Sequence, residues 1–128
     1  MAAEAVSVLV VDDQLPFRMA AKTVVRVTPG FEVVGEAENG EEAVAQVDAL
    51  HPSLVLMDIN MPGINGIEAS RRIHDTHPEV CVVLLSTYPA DDLPADALTN
   101  GAAAYINKDE FGPQVLRSTW EGSGPSGP

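Results

Sequence analysis

Short runs of β-branched apolar residues alternate with longer amphipathic segments along most of this chain. The runs predict five strands, at residues 6–11, 32–37, 54–57, 80–85 and 103–106. The segments that follow them predict helices at residues 16–27, 41–50, 66–76, 93–100 and 113–120. The first, third and fourth runs are apolar throughout, which is typical of central strands that helices cover on both faces. This alternation predicts an α/β protein with a five-stranded parallel sheet, doubly wound in the (βα)5 manner.

The composition is consistent with one folded domain. The chain has 128 residues, of which 45% are hydrophobic and 20% charged, enough to bury a core without metals or disulfides. The last residues, EGSGPSGP, lack the apolar side chains that a core needs. We therefore expect a domain over residues 1–121 and a Gly/Ser/Pro linker or tail over 122–128, with no output domain in this chain.

Charge and targeting signals narrow the range of partners. The formal net charge is −12, and a field of that sign repels phosphate backbones and anionic lipids. The apolar run at 6–11 is too short for a signal sequence or a membrane span. A single cysteine, Cys81, cannot form an internal disulfide. We expect a cytoplasmic domain that binds neither nucleic acid nor membrane directly.

Reactive side chains follow four of the five predicted strands. Asp12 and Asp13 come after the first strand, Asp58 after the third, Ser86 after the fourth and Lys108 after the fifth. Taken singly, these residues are typical of helix caps, Asx-turns, local hydroxyl contacts and solvated surface charges. Because the carboxyl ends of parallel strands meet at one edge of the sheet, we expect all five to lie on one rim.

Such a rim suits phosphoryl transfer assisted by a metal ion. Carboxylates that lie close together repel one another, and Mg²⁺ or Mn²⁺ would relieve this through oxygen ligands from Asp13, Asp58 and the Asn60 backbone carbonyl. Lys108 and the Ser86 hydroxyl could neutralise and hydrogen-bond phosphoryl oxygens. Asp58 is the best candidate nucleophile, because it follows a central strand with these groups around it.

Four segments resemble the receiver domain of bacterial two-component response regulators, and within it the NarL/FixJ-type (LuxR-type) branch. They are VLVVDDQLPFR, LVLMDINMPGINGIEA, VVLLSTY and GAAAYINKD. The resemblance covers nearly the whole predicted domain and implies a flavodoxin-like, CheY-like fold. One departure is Asp109, which follows Lys108 where many receivers have proline.

The resemblance also implies a role for each rim residue. The acidic pair of the family, which binds Mg²⁺ or Mn²⁺, matches Asp12 and Asp13. The phospho-acceptor matches Asp58, and the residue that supplies a backbone carbonyl to the metal matches Asn60. Ser86 matches the switch hydroxyl of the family, Tyr105 its switch aromatic and Lys108 its lysine.

The function that follows is a phosphorylation-controlled switch. The partner implied is a sensor histidine kinase, and phosphorylation would alter a surface that controls homodimerisation or a DNA-binding output domain. The domain would phosphorylate itself on Asp58 without being a turnover enzyme. Two alternatives stay open: a haloacid-dehalogenase-like phosphatase, and an interaction module that works without phosphorylation. The phosphatase normally carries a DxD pattern after its first strand, whereas this chain has Asp12-Asp13-Gln14.

A few other residues have ordinary structural explanations. The pattern Asn39 to Glu42 predicts a capping box at the start of the second helix. His74 and His77 are expected away from the rim, like His51, and a zinc site between them is not expected. Two further residues are expected to be structural: Cys81 in the core, and Trp120 fixing the last helix to the domain.

Overall fold

The structure is a computed structural model that describes residues 5–87 and 101–123. Its strands are β1 (Val6–Val11), β2 (Phe31–Ala37), β3 (Leu54–Asp58), β4 (Cys81–Ser86) and β5 (Ala104–Asn107). The helices in the described residues are α1 (Leu15–Val27), α2 (Gly40–Leu50), α3 (Gly66–Thr76) and α4 (Pro113–Ser123), and a 3₁₀ turn spans Lys108–Glu110. The helix predicted at residues 93–100 lies outside the described residues.

All five strands pair in parallel in one sheet, in the order β2-β1-β3-β4-β5. This is the doubly wound order of flavodoxin-like proteins, and it confirms the predicted fold class. The strand order reverses between β1 and β3. β2 is added on one side of β1, whereas β3, β4 and β5 are added in turn on the other side. Ligand sites in such sheets lie outside the carboxyl ends of the strands at this point of reversal, which is where Asp12 and Asp58 are found.

Each face of the sheet has its own buried core. Helices α2 and α3 cover one face, where Val47 and Ile73 pack against alternate residues of β1, β3 and β4. Helices α1 and α4 cover the other, where Val25 and Leu116 pack against the intervening residues. Burial on both sides explains why β3 and β4 are apolar without alternation.

Asparagine side chains begin two of the helices. Asn39 accepts a hydrogen bond from the backbone N–H of Glu42 at 2.8 Å, which confirms the predicted start of α2. In a capping box the Glu42 carboxylate would accept from the N–H of Asn39 itself. Here it accepts instead from the N–H of Glu38, the residue before the cap. Asn65 caps α3 in the same way, accepting from Glu68 N–H at 2.9 Å. The Asn65–Glu68 spacing repeats the pattern of the second helix and could have been read from the sequence.

Element boundaries shift by a few residues from those predicted. β3 and β4 include Asp58 and Ser86 as their last residues, whereas the sequence placed both just after a strand. α4 extends to Ser123, beyond the expected domain end at residue 121. Within residues 5–87 and 101–123, no helix is both long and apolar enough to span a membrane.

Candidate functional site

Three carboxylates converge at the carboxyl edge of the sheet. Asp12 and Asp13 follow β1, and Asp58 ends the neighbouring strand β3. One oxygen of each carboxylate lies within 4.8 Å of the others. Asp12 and Asp58 are 1% and 5% exposed, so two of the three negative charges are held almost out of water. Hard oxygen donors at this spacing fit a divalent cation such as Mg²⁺.

Lys108 supplies a positive charge to the same cluster. Its Nζ lies 2.7 Å from Oδ2 of Asp12 and 3.4 Å from Oδ1 of Asp58. It also lies 4.4 Å from the centre of the Phe17 ring, a distance at which a cation is attracted to the aromatic face. The contact with Phe17, from α1, was not anticipated from the sequence.

Asp12 is held by several backbone and side-chain contacts. Its Oδ1 accepts from the backbone N–H of Gln14 at 2.8 Å. Its backbone carbonyl accepts from Nη1 of Arg18 at 2.7 Å, and its N–H donates to the Ala37 carbonyl at 3.1 Å. Sequence reasoning missed Arg18, because its contact with Asp12 depends on how α1 packs on the sheet.

The environment of Asp58 perturbs its titration. Burial raises the pKa of the Asp58 carboxyl from 3.8 to about 6, with a smaller upward contribution from Asp12. The Lys108 ammonium and the backbone N–H of Asn60, which donates to the carboxylate, oppose this rise in pKa. A shifted pKa together with a specific charged partner is typical of functional groups. Asp58 has both features.

A glycine allows the chain to pass close to Asp58. A Cβ at Gly66, the first residue of α3, would overlap the backbone carbonyl of Asp58. The Gly66 N–H also donates to the carbonyl of Ile59 at 2.8 Å. The loop between them therefore returns directly onto β3, and α3 starts beside the Asp58 backbone.

Ser86 and Tyr105 lie on neighbouring strands next to the rim. Ser86 is buried at the end of β4, the strand that pairs with β3. The Tyr105 hydroxyl donates to the Ser86 backbone carbonyl at 3.0 Å, with the ring half-buried on β5. Burial raises the pKa of the Tyr105 hydroxyl, and the Asp58 charge acts in the same direction. The structure thus places Ser86 on the strand next to Asp58 and Tyr105 on the strand beyond it, joined to Ser86 by this hydrogen bond.

Asn60 is placed differently from the other candidates. It lies two residues beyond Asp58, where its side chain is exposed. Its backbone N–H contacts the Asp58 carboxylate, whereas the expected metal contact uses its carbonyl. That contact stays a prediction.

The remaining residues of interest lie away from this rim. His77 Nε2 is 2.6 Å from Asp48 Oδ1, and its ring packs edge-on against His51. Cys81 is buried in the core as expected, and burial raises the pKa of its thiol to about 11. Trp120 packs edge-on against Phe31, which fixes α4 to the start of β2.

The chain matches the response regulator receiver domain family over residues 8–120. This match spans both sides of the sheet and every rim residue discussed above. The protein therefore belongs to the response regulator receiver domain family.

Its relatives include response regulators and a transcriptional regulatory protein. The response regulator GacA of Pseudomonas protegens is 41% identical over 103 residues, which cover 80% of this chain and 48% of that protein. DegU of Brevibacillus brevis, a transcriptional regulatory protein, is 38% identical over 104 residues, covering 81% and 44%. UvrY of Escherichia coli is 36% identical over 120 residues, covering 91% and 55%. The chain thus spans about half the length of the relatives it matches.

Solved structures agree with this assignment. The receiver of the response regulator NarL from Mycobacterium tuberculosis superimposes with a TM-score of 0.82 at 29% identity, covering 91% of this chain and 98% of that chain. The response regulator domain of Thermotoga maritima CheB gives a TM-score of 0.82 at 33% identity, covering 91% and 94%. Both the predicted receiver function and the predicted similarity to the NarL branch are confirmed, and the phosphatase alternative is not favoured.

Proposed function

We propose that Asp58 accepts a phosphoryl group from the phosphohistidine of a sensor kinase. A carboxylate oxygen of Asp58 attacks phosphorus in line with the P–N bond, which breaks and leaves the electron pair on the kinase imidazole. The observation that carries this proposal is the position of Asp58, at the end of β3 among two further carboxylates and the Lys108 ammonium. Such reactions depend mainly on positioning and charge neutralisation.

A divalent cation would be held by Asp12, Asp13, Asp58 and the Asn60 carbonyl. The close approach of the three carboxylates supports this set, since their mutual repulsion is reduced when a cation is bound. Mg²⁺, or Mn²⁺ in its place, would offset the charge that builds up on the phosphoryl oxygens. Lys108 would neutralise another of those oxygens, because its ammonium already lies 3.4 Å from Asp58.

The signal would pass from Asp58 to Ser86 and Tyr105. A phosphoryl group adds about 1.5 to 2 negative charges and strong acceptors, which the Ser86 hydroxyl could meet. The Tyr105 ring would then reorient, breaking its hydrogen bond to the Ser86 carbonyl. A two-state element of this kind, biased by local charge, changes the surface offered to a partner.

The activity of a whole regulator would depend on that surface. The named relatives are about twice as long as the match, and DegU is a transcriptional regulatory protein, which supports control of homodimerisation or of a DNA-binding output domain. The domain would act in the cytoplasm as a switch phosphorylated once per signal, and not as an enzyme that turns over a substrate.

Intact mass spectrometry would test the phospho-acceptor. After incubation with Mg²⁺ and acetyl phosphate, the wild type should gain one phosphoryl group that hydroxylamine removes. Asp58→Ala should gain none, whereas Asp75→Ala, which removes an exposed acid on α3, should label like the wild type. Labelling of Asp58→Ala would contradict the proposal, and labelling that survives metal chelation would contradict the role of the cation.

A further inference from the structure

Arg18 joins three parts of the fold beside the acidic rim. Its side chain is only 10% exposed, although arginine is rarely so buried without partners. Nη1 donates to the backbone carbonyl of Asp12 at 2.7 Å, while Nε donates to Oε1 of Glu36 on β2 at the same distance. Lys22, one turn further along α1, binds the other Glu36 oxygen at 2.7 Å. The guanidinium thus links α1 to the end of β1 and to the edge strand.

These contacts determine where the Asp12 backbone lies. Its N–H is held by the Ala37 carbonyl of β2, and its carbonyl is held by Arg18. Asp12 comes after the last residue of β1, so its carbonyl lies beyond the strand pairing recorded for β1. The direction of this peptide sets the position of the next residue, Asp13, whose carboxylate completes the three-acid cluster. Arginine suits this role because its planar fork binds two acceptors in fixed directions.

We propose that Arg18 is a positioning residue for cation binding, and that Glu36 orients Arg18. The pair would hold Asp12 and Asp13 in the arrangement that a cation needs, without touching the cation itself. This inference rests on the proposed function of the rim. Residues that contact the metal ligands but not the metal typically contribute a factor of about 10 to 100 in metal affinity or activity.

Arg18→Lys is the first test, because lysine keeps the charge but cannot bind both acceptors. We expect its Mg²⁺ affinity, measured by titration calorimetry on the unphosphorylated protein, to fall about tenfold. Arg71→Lys is the matched control, since Arg71 makes exposed ion pairs on α3 and should leave the affinity unchanged. Wild-type affinity in Arg18→Lys would overturn the inference.

Phosphorylation kinetics separate positioning from a purely structural role. In Arg18→Lys, the Mg²⁺ concentration that gives half-maximal labelling by acetyl phosphate should rise about tenfold, while the maximal rate at saturating Mg²⁺ stays within about twofold. A purely structural role would lower the melting temperature and leave the half-maximal Mg²⁺ concentration where it was. That second pattern would overturn the inference.

Substitutions at Glu36 provide an independent variant that leaves Arg18 in place. Glu36→Ala removes the acceptor of Nε and should weaken Mg²⁺ binding by about threefold to tenfold. Glu36→Gln keeps an oxygen acceptor and should lose less than Glu36→Ala. Lys22→Gln is the control, because Lys22 contacts Glu36 but not Asp12. Equal affinities in the two Glu36 variants would contradict an orienting role for Glu36.

A last measurement distinguishes this inference from the proposed function. The amide NMR signals of Asp12 and Asp13 should shift and broaden in metal-free Arg18→Lys, but not in Arg71→Lys. This arm needs no phosphorylation. If the wild type labels normally and these signals are unchanged in Arg18→Lys, the inference fails and the phospho-acceptor stands. If the wild type does not label but the signals change, the proposed function fails and the positioning role stands.

Discussion

The ammonium of Lys108 is closer to Asp12 than to the proposed phospho-acceptor. Nζ lies 2.7 Å from Asp12 Oδ2, which is buried at the end of β1, and 3.4 Å from Asp58 Oδ1. Asp12 is one of the residues proposed to hold a cation, so the ammonium contacts an oxygen that a metal ion would also attract. The lysine and the cation therefore compete for part of the same negative charge.

Removing the Lys108 ammonium should strengthen metal binding and slow phosphorylation. We expect Lys108→Met to bind Mg²⁺ several-fold more tightly, by about 1 kcal/mol, because one competing positive charge is lost from a buried site. Its labelling by acetyl phosphate should fall by about tenfold or more, because a phosphoryl oxygen loses its partner. Calorimetry and mass spectrometry measure the two effects, with Lys22→Met as control. Weaker Mg²⁺ binding in Lys108→Met would contradict the competition.

The raised pKa of Asp58 predicts a pH-dependent cost to folding. The folded carboxyl holds its proton up to about pH 6, whereas the unfolded one loses it near 3.8. The cost is therefore absent below about pH 3.8, where the carboxyl is protonated in both states, and it grows as the pH rises to about 6. Asp58→Asn, which cannot ionise, should be more stable than the wild type at neutral pH, by about 1 kcal/mol after allowance for solvent screening.

Urea unfolding in the presence of a chelator would measure this difference. The gain of Asp58→Asn should shrink as the pH falls through about 6 and be absent near pH 4. Asp75→Asn, at an exposed position on α3, is the control for removal of a carboxylate and should show no such gain. A gain that is equal at both pH values would show that burial of the charge is not its cause.

The close contact at Gly66 predicts a steric effect on the site. A methyl group at this position would overlap the Asp58 carbonyl, so Gly66→Ala should lose about 1 to 3 kcal/mol of stability. Gly112→Ala is the control, because a Cβ there would meet no atom within 4 Å. Thermal unfolding measures the difference, and Mg²⁺ affinity should also fall in Gly66→Ala as β3 shifts. Equal stability of the two variants would mean that the loop adjusts at no cost.

A histidine on the opposite side of the molecule predicts a second pH effect. The Asp48 carboxylate raises the pKa of His77 above its ordinary value of 6.5, with smaller support from Glu79. The contact between α2 and the end of α3 is thus fully stabilising below about pH 6.5 and lost as the pH rises through the raised pKa.

Asp48→Asn should remove the stabilisation on the acidic side. We expect its melting temperature to fall relative to the wild type at about pH 6, with little difference at about pH 9. Asp75→Asn, an exposed carboxylate on α3 that pairs with Arg71 instead, serves as the control. A deficit of the same size at both pH values would rule out protonation of His77 as its source.

The fold could be predicted because each strand and helix carries its own signal. Continuous apolar runs identified β1, β3 and β4 as central strands, and these three are the inner strands of the sheet. The Asn39 cap was equally readable. The rim was predictable in outline, since parallel strands end at one edge, and Asp12, Asp58 and Lys108 do meet there. The metal and switch roles of these residues stay predictions.

Contacts between distant side chains could not be predicted in the same way. The hydrogen bond from Arg18 to the Asp12 carbonyl depends on how α1 is rotated over the sheet, which no local pattern specifies. The position of Lys108 over the Phe17 ring depends on the path of the chain after β5. Both are results of tertiary packing, and both act on residues whose chemistry the sequence already suggested.

Trp120 packs on Phe31 at the start of β2, and strands in a parallel sheet start at the edge opposite the carboxylates. It is the only tryptophan in the chain. Its intrinsic fluorescence should therefore follow loss of the docked α4 during denaturation, while addition of Mg²⁺ should hardly quench or brighten it. Detecting Mg²⁺ binding by fluorescence would need a second tryptophan introduced near the rim. Trp120 itself reports global unfolding without an added label.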